Sequence, residues 1–219
     1  KEGQEPALII ANGESCSYEM LTGLMEWCPY IVALDGAYER VKKLQIQPDL
    51  VIGDFDSMED VEMLEHTTYI RDKSQETTDL EKAINHLVKK KYSAINIVWA
   101  TGKRLDHTLN NFHLLAKYTD TNIVLYDNHS KAFVLPEKYS KVYKKGSKLS
   151  LVPLHSCVGI TTKNLVYPLT GETLSIGQRS GTSNSVLKDG EVTISYLSGT
   201  LVLIESEGIL GEYKHCEKI

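Results

Sequence analysis

Two carboxylates, Asp54 and Asp56, stand two residues apart in the run LVIGDFDS, residues 50–57, directly after an apolar stretch. In an extended backbone, residues i and i+2 project from one face, so both carboxylates point into one site while Phe55 turns the other way. Asp, Gly and Ser are also ordinary turn residues, so the pair read alone is equally a solvated strand end. Asp35 closes another strand-like run, IVALDGA, Asp79 opens the segment TTDLEKAINHLVKK, and Asp106 follows the apolar run from Ile95 to Ala100. Acidic side chains thus gather at the C-terminal ends of strands or in the first turns of the helices that follow. In an open parallel α/β sheet, that edge binds ligands. Like charges about 5 Å apart repel by roughly 3 kcal/mol at an effective dielectric near 20. Such a cluster needs cations, and carboxylate oxygens suit Mg²⁺, which keeps several waters and is shared with substrate phosphates.

Strands that could carry these residues alternate with helices through the first 130 residues: Ala7 to Ala11, Ile31 to Leu34, Leu50 to Ile52, Thr68 to Ile70, Ile95 to Trp99 and Ile123 to Tyr126. Several are short, continuous apolar runs, as strands buried on both faces require. After Thr78 a helix is expected: Thr78 and Glu81 form a capping-box pattern, and Leu80, Ile84, Leu87 and Val88 lay down a helical stripe. The alternation implies right-handed βαβ units and a doubly wound, mainly parallel sheet. From about Lys131 the character changes to short alternating runs, KAFVL, KLSLVPL, GITT, ETLSI, EVTISYL and TLVLIES, separated by turn signals. That pattern predicts an antiparallel β-sandwich or small barrel. The expected division is an α/β domain over residues 1–129 and a β domain over 130–219.

Composition narrows the function classes. A chain of 219 residues with net charge -5 and pI near 5.8 argues against nucleic-acid or membrane-surface binding. Lys89, Lys90 and Lys91 sit at a helix end, where cations face the macrodipole favourably. Cys16, Cys28, Cys157 and Cys216 are scattered without a C-x-x-C pair, so free thiols in a reducing cytoplasm are expected. No apolar run approaches 18 residues, and no signal peptide is visible. A P-loop G-x-x-x-x-G-K-[ST] is absent from the sequence.

In order, the motifs are Asp35-Gly36; Pro48-Asp49 leading into Gly53-Asp54-Phe55-Asp56-Ser57; Gln75; Thr78-Asp79; and Gly102, Arg104, Asp106-His107 and Asn110. Together with ITTKNLVYPL and TSNS in the second half, they resemble the thiamine pyrophosphokinase family. The resemblance implies an α/β catalytic domain, a β-sandwich that helps bind thiamine, and a homodimer whose β-rich half lies against the partner's catalytic cleft. It implies diphosphoryl transfer from ATP to the hydroxyl of thiamine, with Mg²⁺. On this reading Asp54, Asp56 and Asp79 are metal ligands and Asp35 is a fourth carboxylate of the same catalytic site. Arg104 holds a phosphate through its planar fork; its alternative is a salt bridge with Asp106. Gln75, Asp106, His107 and Asn110 are ATP-side candidates, and Tyr167, Thr182, Ser183 and Asn184 are thiamine-side candidates.

The chain departs from the family pattern at three places, one of them Ser185, where many relatives carry an acidic residue. Where relatives usually show Asp-Gly-Gly and Gly-Gly-Arg, it has Asp35-Gly36-Ala37 and Gly102-Lys103-Arg104. A side chain at Ala37 or Lys103 would crowd a close backbone approach to a phosphate, although Lys103 also offers that phosphate a charge. Two other readings compete: diphosphate transfer to a hydroxymethylpterin on a related α/β domain, and a non-catalytic thiamine binder. The TSNS and LVYPL segments favour thiamine. The acidic cluster disfavours a pure anion binder, which would gather basic groups.

Overall fold

Six parallel strands in the order β4-β3-β2-β1-β5-β6 form the first of two units. The computed structural model describes residues 5–56 and 63–206, so Ser57 and Cys216 lie outside the described residues. The strands are β1 (Ala7–Ile10), β2 (Tyr30–Leu34), β3 (Leu50–Gly53), β4 (Thr68–Arg71), β5 (Ala94–Val98) and β6 (Asn122–Tyr126). The helices are α1 (Tyr18–Trp27), α2 (Asp35–Lys43), α3 (Asp79–Lys89) and α4 (Leu105–Lys117). Every residue of β1 and β3 is buried, which is why their sequences are unbroken apolar runs. All six strands expected from the sequence are present, within a residue or two of their expected bounds. From β1 the chain winds outward through β2, β3 and β4, then returns to the other side of β1 for β5. The switch point therefore lies between the C-terminal ends of β1 and β5, the place where such sheets hold ligands.

Helix α3 forms as its sequence predicts. Thr78 Oγ1 accepts the Glu81 backbone N–H at 3.4 Å, and Leu80, Ile84 and Leu87 are buried. Its stripe also buries Lys82, a cation the apolar periodicity does not mark. Among the described residues no helix is long and apolar enough to cross a membrane, and Cys16, Cys28 and Cys157 are free thiols.

The second unit holds β7 (Ser130–Val134), β8 (Lys138–Tyr143), β9 (Lys148–Lys163), β10 (Thr170–Ser175), β11 (Gly181–Ser185), β12 (Gly190–Ser195) and β13 (Ser198–Ser206). All its ladders are antiparallel, and the 16-residue β9 is their spine. The first half of β9 pairs with β11 and its second half with β10 and β12, while β13 runs along it from Lys148 to Val158. Alternating burial along β9 gives the inward and outward sets expected of a strand with one packed face. By Cα packing the first unit runs to Leu114 and takes Asp120–Asn128, whereas Leu115–Thr119 and the chain from His129 belong to the second.

Candidate active site

A cavity of about 490 Å³ opens at the switch point, lined from the first unit alone. Its walls include Asn12 and Gly13 after β1, Asp35 at the start of α2, Asp54 after β3, Asp79 and Lys82 of α3, and Lys103 and Arg104 after β5. Each follows a strand or opens a helix, so the sheet edge itself gathers them.

Asp35 is only 8% exposed. Its Oδ1 accepts the Gly36 N–H at 2.6 Å and its Oδ2 accepts the Phe55 N–H at 2.9 Å. The first residue of a helix is a favourable place for a negative charge. Burial nevertheless raises the Asp35 carboxyl above the ordinary range, and the charges of Asp79 and Asp54 push the same way against the two N–H donors. Gly53 makes this packing possible: a Cβ there would stand 2.2 Å from Asp35 Cγ. Asp54 is shifted in the opposite direction. The Asp56 N–H donates to its Oδ1 at 3.1 Å, and that bond, helped by Lys82 and Gln75, holds its carboxyl below the usual range. Two neighbouring carboxyls are thus driven apart in basicity, the pattern that separates an ionised group from a proton acceptor.

The turn after β3 corrects the expectation that Asp54 and Asp56 share one face of an extended strand. The strand ends at Gly53 and Phe55 is left-handed, with φ +62°, so the period of two is broken between the carboxylates. Asp54 lines the cavity and Asp56 does not. The Asp56 side chain is 75% exposed and lies 3.7 Å from Arg71.

Lys82 is a residue of the cavity wall that sequence reasoning missed. Its side chain is 4% exposed, and its ammonium donates to Asp79 Oδ1 at 2.9 Å and to the Asp72 carbonyl at 2.8 Å. Part of the acidic cluster is therefore neutralised from within the protein. Among the described residues, no three His, Cys, Asp or Glu side chains stand close enough to cage a metal ion. One or two carboxylates at a cleft fit Mg²⁺ in its usual biological form, where waters and substrate phosphates supply most ligands.

On the β5 side, Arg104 lines the cavity, but its guanidinium forks onto Asp106, Nε to Oδ1 at 3.1 Å and Nη2 to Oδ2 at 2.5 Å. The fork holds the Asp106 carboxyl down at about 2. Gln75 and His107 also line the cavity, whereas Asp106 and Asn110 do not. The adjacent Asn111 does; it is buried and donates to the Ala100 carbonyl at 2.7 Å. A pattern of i and i+4 polar residues could not choose between Asn110 and Asn111 without the helix phase. Ala37 is fully buried in α2 and absent from the cavity wall, so its methyl does not crowd the site as expected.

In the second unit, Asn184 is buried and its amide is committed to backbone. Its Nδ2 donates to the Tyr167 carbonyl at 2.7 Å, and its Oδ1 accepts from the Tyr167 and Ser185 N–H groups at 3.0 and 2.9 Å. Asn184 thereby fixes the backbone of Tyr167, a residue that is 66% exposed. Thr182 and Ser183 are exposed beside it. Ser183 is left-handed, with φ +62°, and its N–H donates to Ser150 Oγ at 3.0 Å. The four thiamine-side candidates form one patch, in which Asn184 is the fixed member.

A doubly wound parallel sheet with an acid-lined cleft at its switch point, continued by an antiparallel β unit, defines a two-unit class of α/β ligand-binding protein. Residues 21–126 match the family description "Thiamin pyrophosphokinase, catalytic domain", and residues 136–201 match "Thiamin pyrophosphokinase, vitamin B1 binding domain". The thiamine pyrophosphokinase of Bacillus subtilis is 26% identical over 208 residues, covering 90% of this chain and 97% of that one. The crystal structure of thiamine pyrophosphokinase from Bacillus subtilis superposes with TM-score 0.80 at 25% identity, covering 92% of this chain and 99% of that one. The Geobacillus thermodenitrificans structure gives 0.79 at 27% identity, covering 92% and 97%. The chain belongs to the thiamin pyrophosphokinase family.

Proposed function

We propose that this chain transfers the diphosphoryl group of ATP to the hydroxyl of thiamine, giving thiamine diphosphate and AMP. Family membership supports the reaction, and the cavity at the switch point supports the place. The observation that carries the residue roles is the convergence of Asp35, Asp54 and Asp79 on one cleft with the buried Lys82 beside them.

In the reaction the thiamine oxygen bonds to the β-phosphorus of ATP. The bond from that phosphorus to the α,β-bridging oxygen breaks, and AMP leaves with the electron pair. Catalysis of this kind is positioning and charge neutralisation in a dry site. Asp54 and Asp79 would hold Mg²⁺, which supplies charge neutralisation at the phosphate oxygens. Asp56 joins them only by leaving Arg71, and an exposed ion pair of that sort is weak enough to exchange. Lys82 fixes Asp79 and adds a cation at the same wall. Asp35, beside Asp54 on the same cleft wall, is the carboxylate we assign to take the alcohol's proton.

Residues 1–129 form the catalytic domain and residues 130–219 the thiamine-binding domain in this proposal. Gln75, Arg104 and His107 face ATP from the cavity wall. Asp106 orients Arg104, and Asn110 stands behind them on α4. Tyr167, Thr182 and Ser183 contact thiamine, with Asn184 as the residue that positions Tyr167. A homodimer belongs to the same proposal. Leu105 and Leu109, one helical turn apart on α4, are 74% and 57% exposed, an apolar pair suited to cover by a second copy. A cytoplasmic location is likewise proposed.

Substrate choice is tested by supplying ATP, Mg²⁺ and either thiamine or a hydroxymethylpterin. AMP release is expected with thiamine and not with the pterin, and chelation of Mg²⁺ with EDTA should abolish it. AMP release driven by the pterin alone would overturn the assignment.

A further inference from the structure

Lys103 occupies a backbone position that suits glycine. Its φ is +50°, in the left-handed region that other residues enter only at a cost, and such strain concentrates at functional sites. Its side chain turns back toward the loop after β1, where Nζ donates to the Asn12 carbonyl at 3.3 Å. Arg40 of α2 reaches the same residue. Its Nη2 donates to Asn12 Oδ1 at 3.1 Å, its Nη1 donates to Ser15 Oγ at 2.8 Å, and its guanidinium lies 4.4 Å from the Trp99 ring centroid.

Two cations therefore converge on one asparagine and are held there by neutral oxygens and an aromatic face. Among the described residues neither has a carboxylate ion-pair partner. Glu14 is the acidic group that Lys103 senses at longer range, against burial and the charge of Arg40, which make its ammonium easier to deprotonate. Asn12 is itself fitted in place, since a Cβ at Gly36 would stand 2.2 Å from its Nδ2. Like charges framed together without a counter-charge in contact stabilise an anion brought to them. Asn12 and Lys103 line the cleft from the loops after β1 and β5, whereas Asp35 and Asp54 follow β2 and β3; Arg40 reaches Asn12 from α2, behind the cleft wall. Arg104, the next residue, already has both arms of its fork on Asp106.

We propose that Lys103, held on Asn12 beside Arg40, forms a phosphate subsite that takes an oxygen of the nucleotide's polyphosphate at the cleft wall. The subsite rests on the reading that ATP occupies this cleft. Lys103 puts a cation at a backbone position that suits glycine, and the strained backbone is the structural cost of presenting it there.

The test is calorimetric titration of the whole protein with inorganic tripolyphosphate, ATP, AMP and thiamine diphosphate, comparing wild type with Lys103→Gly, Lys103→Arg and Arg40→Gln. Glycine suits φ +50°, so Lys103→Gly removes the ammonium without straining the turn. Loss of one charge-assisted contact is expected to weaken tripolyphosphate and ATP about 10-fold in Lys103→Gly, with Lys103→Arg recovering most of it. Arg40→Gln should weaken the same two ligands, while AMP, which lacks the β- and γ-phosphates, binds as before and KM for thiamine stays put. Unchanged tripolyphosphate affinity in Lys103→Gly would overturn the subsite. So would an equal loss for AMP, or a loss confined to thiamine diphosphate. Tripolyphosphate binding needs no turnover, so a wild-type protein inactive with thiamine would remove the proposed reaction and leave this titration able to decide the subsite.

Discussion

Asp54→Asn is expected to lower kcat about 100-fold or more, a loss of about 2.7 kcal/mol of transition-state stabilisation. The same substitution should leave thermal stability nearly unchanged. Asp54 faces Asp35 and Asp79 across one cleft, and its charge is among the causes that raise the Asp35 carboxyl. The folded site holds the Asp54 carboxyl below its ordinary range, so its charge is net favoured there. An amide oxygen can still accept the Asp56 N–H, which keeps the loss small. Turnover assays and a melting curve on the purified variant check both halves. Near-normal turnover at ordinary Mg²⁺ would remove Asp54 from its assigned role. A fall in melting temperature of several degrees would show that the carboxylate is structural instead.

The second large effect lies in the β unit and concerns stability alone. Glu205 of β13 is buried, with Lys131 Nζ at 3.0 Å, Lys141 Nζ at 3.2 Å and the Tyr143 hydroxyl in a short hydrogen bond. Burial by itself would raise its carboxyl, but Lys131, Tyr143 and Lys141 together outweigh burial and hold it below the ordinary value of 4.5. The folded carboxyl is therefore more acidic than the unfolded one. Its contribution is complete above the unfolded value and is lost as pH falls through the folded one. Glu205→Gln breaks a buried charge network and is expected to cost about 3 kcal/mol at neutral pH. For a chain of this size that is about 6 to 12 °C in Tm. Wild type should lose this margin on acidification below pH 4.5, and the variant should lack that part of the acid dependence. Equal melting temperatures at pH 7 would show that the network contributes nothing to stability.

Much of the fold was legible because burial writes itself into sequence. Strands covered on both faces must be apolar throughout, as β1 and β3 are, and a helix with one packed face must carry a stripe, as α3 does. The acidic residues of the cleft were legible for a related reason, since parallel sheets put the residues after their strands at one edge. What sequence could not supply was the local turn of the backbone. Asp54 and Asp56 part company because Phe55 is left-handed, a conformation no spacing rule announces for phenylalanine. Lys82 was hidden because a lysine among acidic residues on a helix reads as a solvated face, whereas its ammonium is buried against Asp79. Asn12 and Arg40 come together across 28 positions, a meeting that only the packing of α2 beside the loop after β1 determines. In the β unit, TSNS showed hydrogen-bonding chemistry but not its direction. The Asn184 amide turns inward to the Tyr167 backbone, leaving Thr182 and Ser183 exposed.

The most direct test of the proposed reaction is the fate of the β-phosphorus. The protein is supplied with ATP labelled at that atom, Mg²⁺ and thiamine, and the products are separated and identified. The label is expected in thiamine diphosphate, on the phosphorus bonded to the thiamine oxygen, with unlabelled AMP formed in equal amount. Label recovered in ADP, with thiamine monophosphate as the other product, would contradict diphosphoryl transfer.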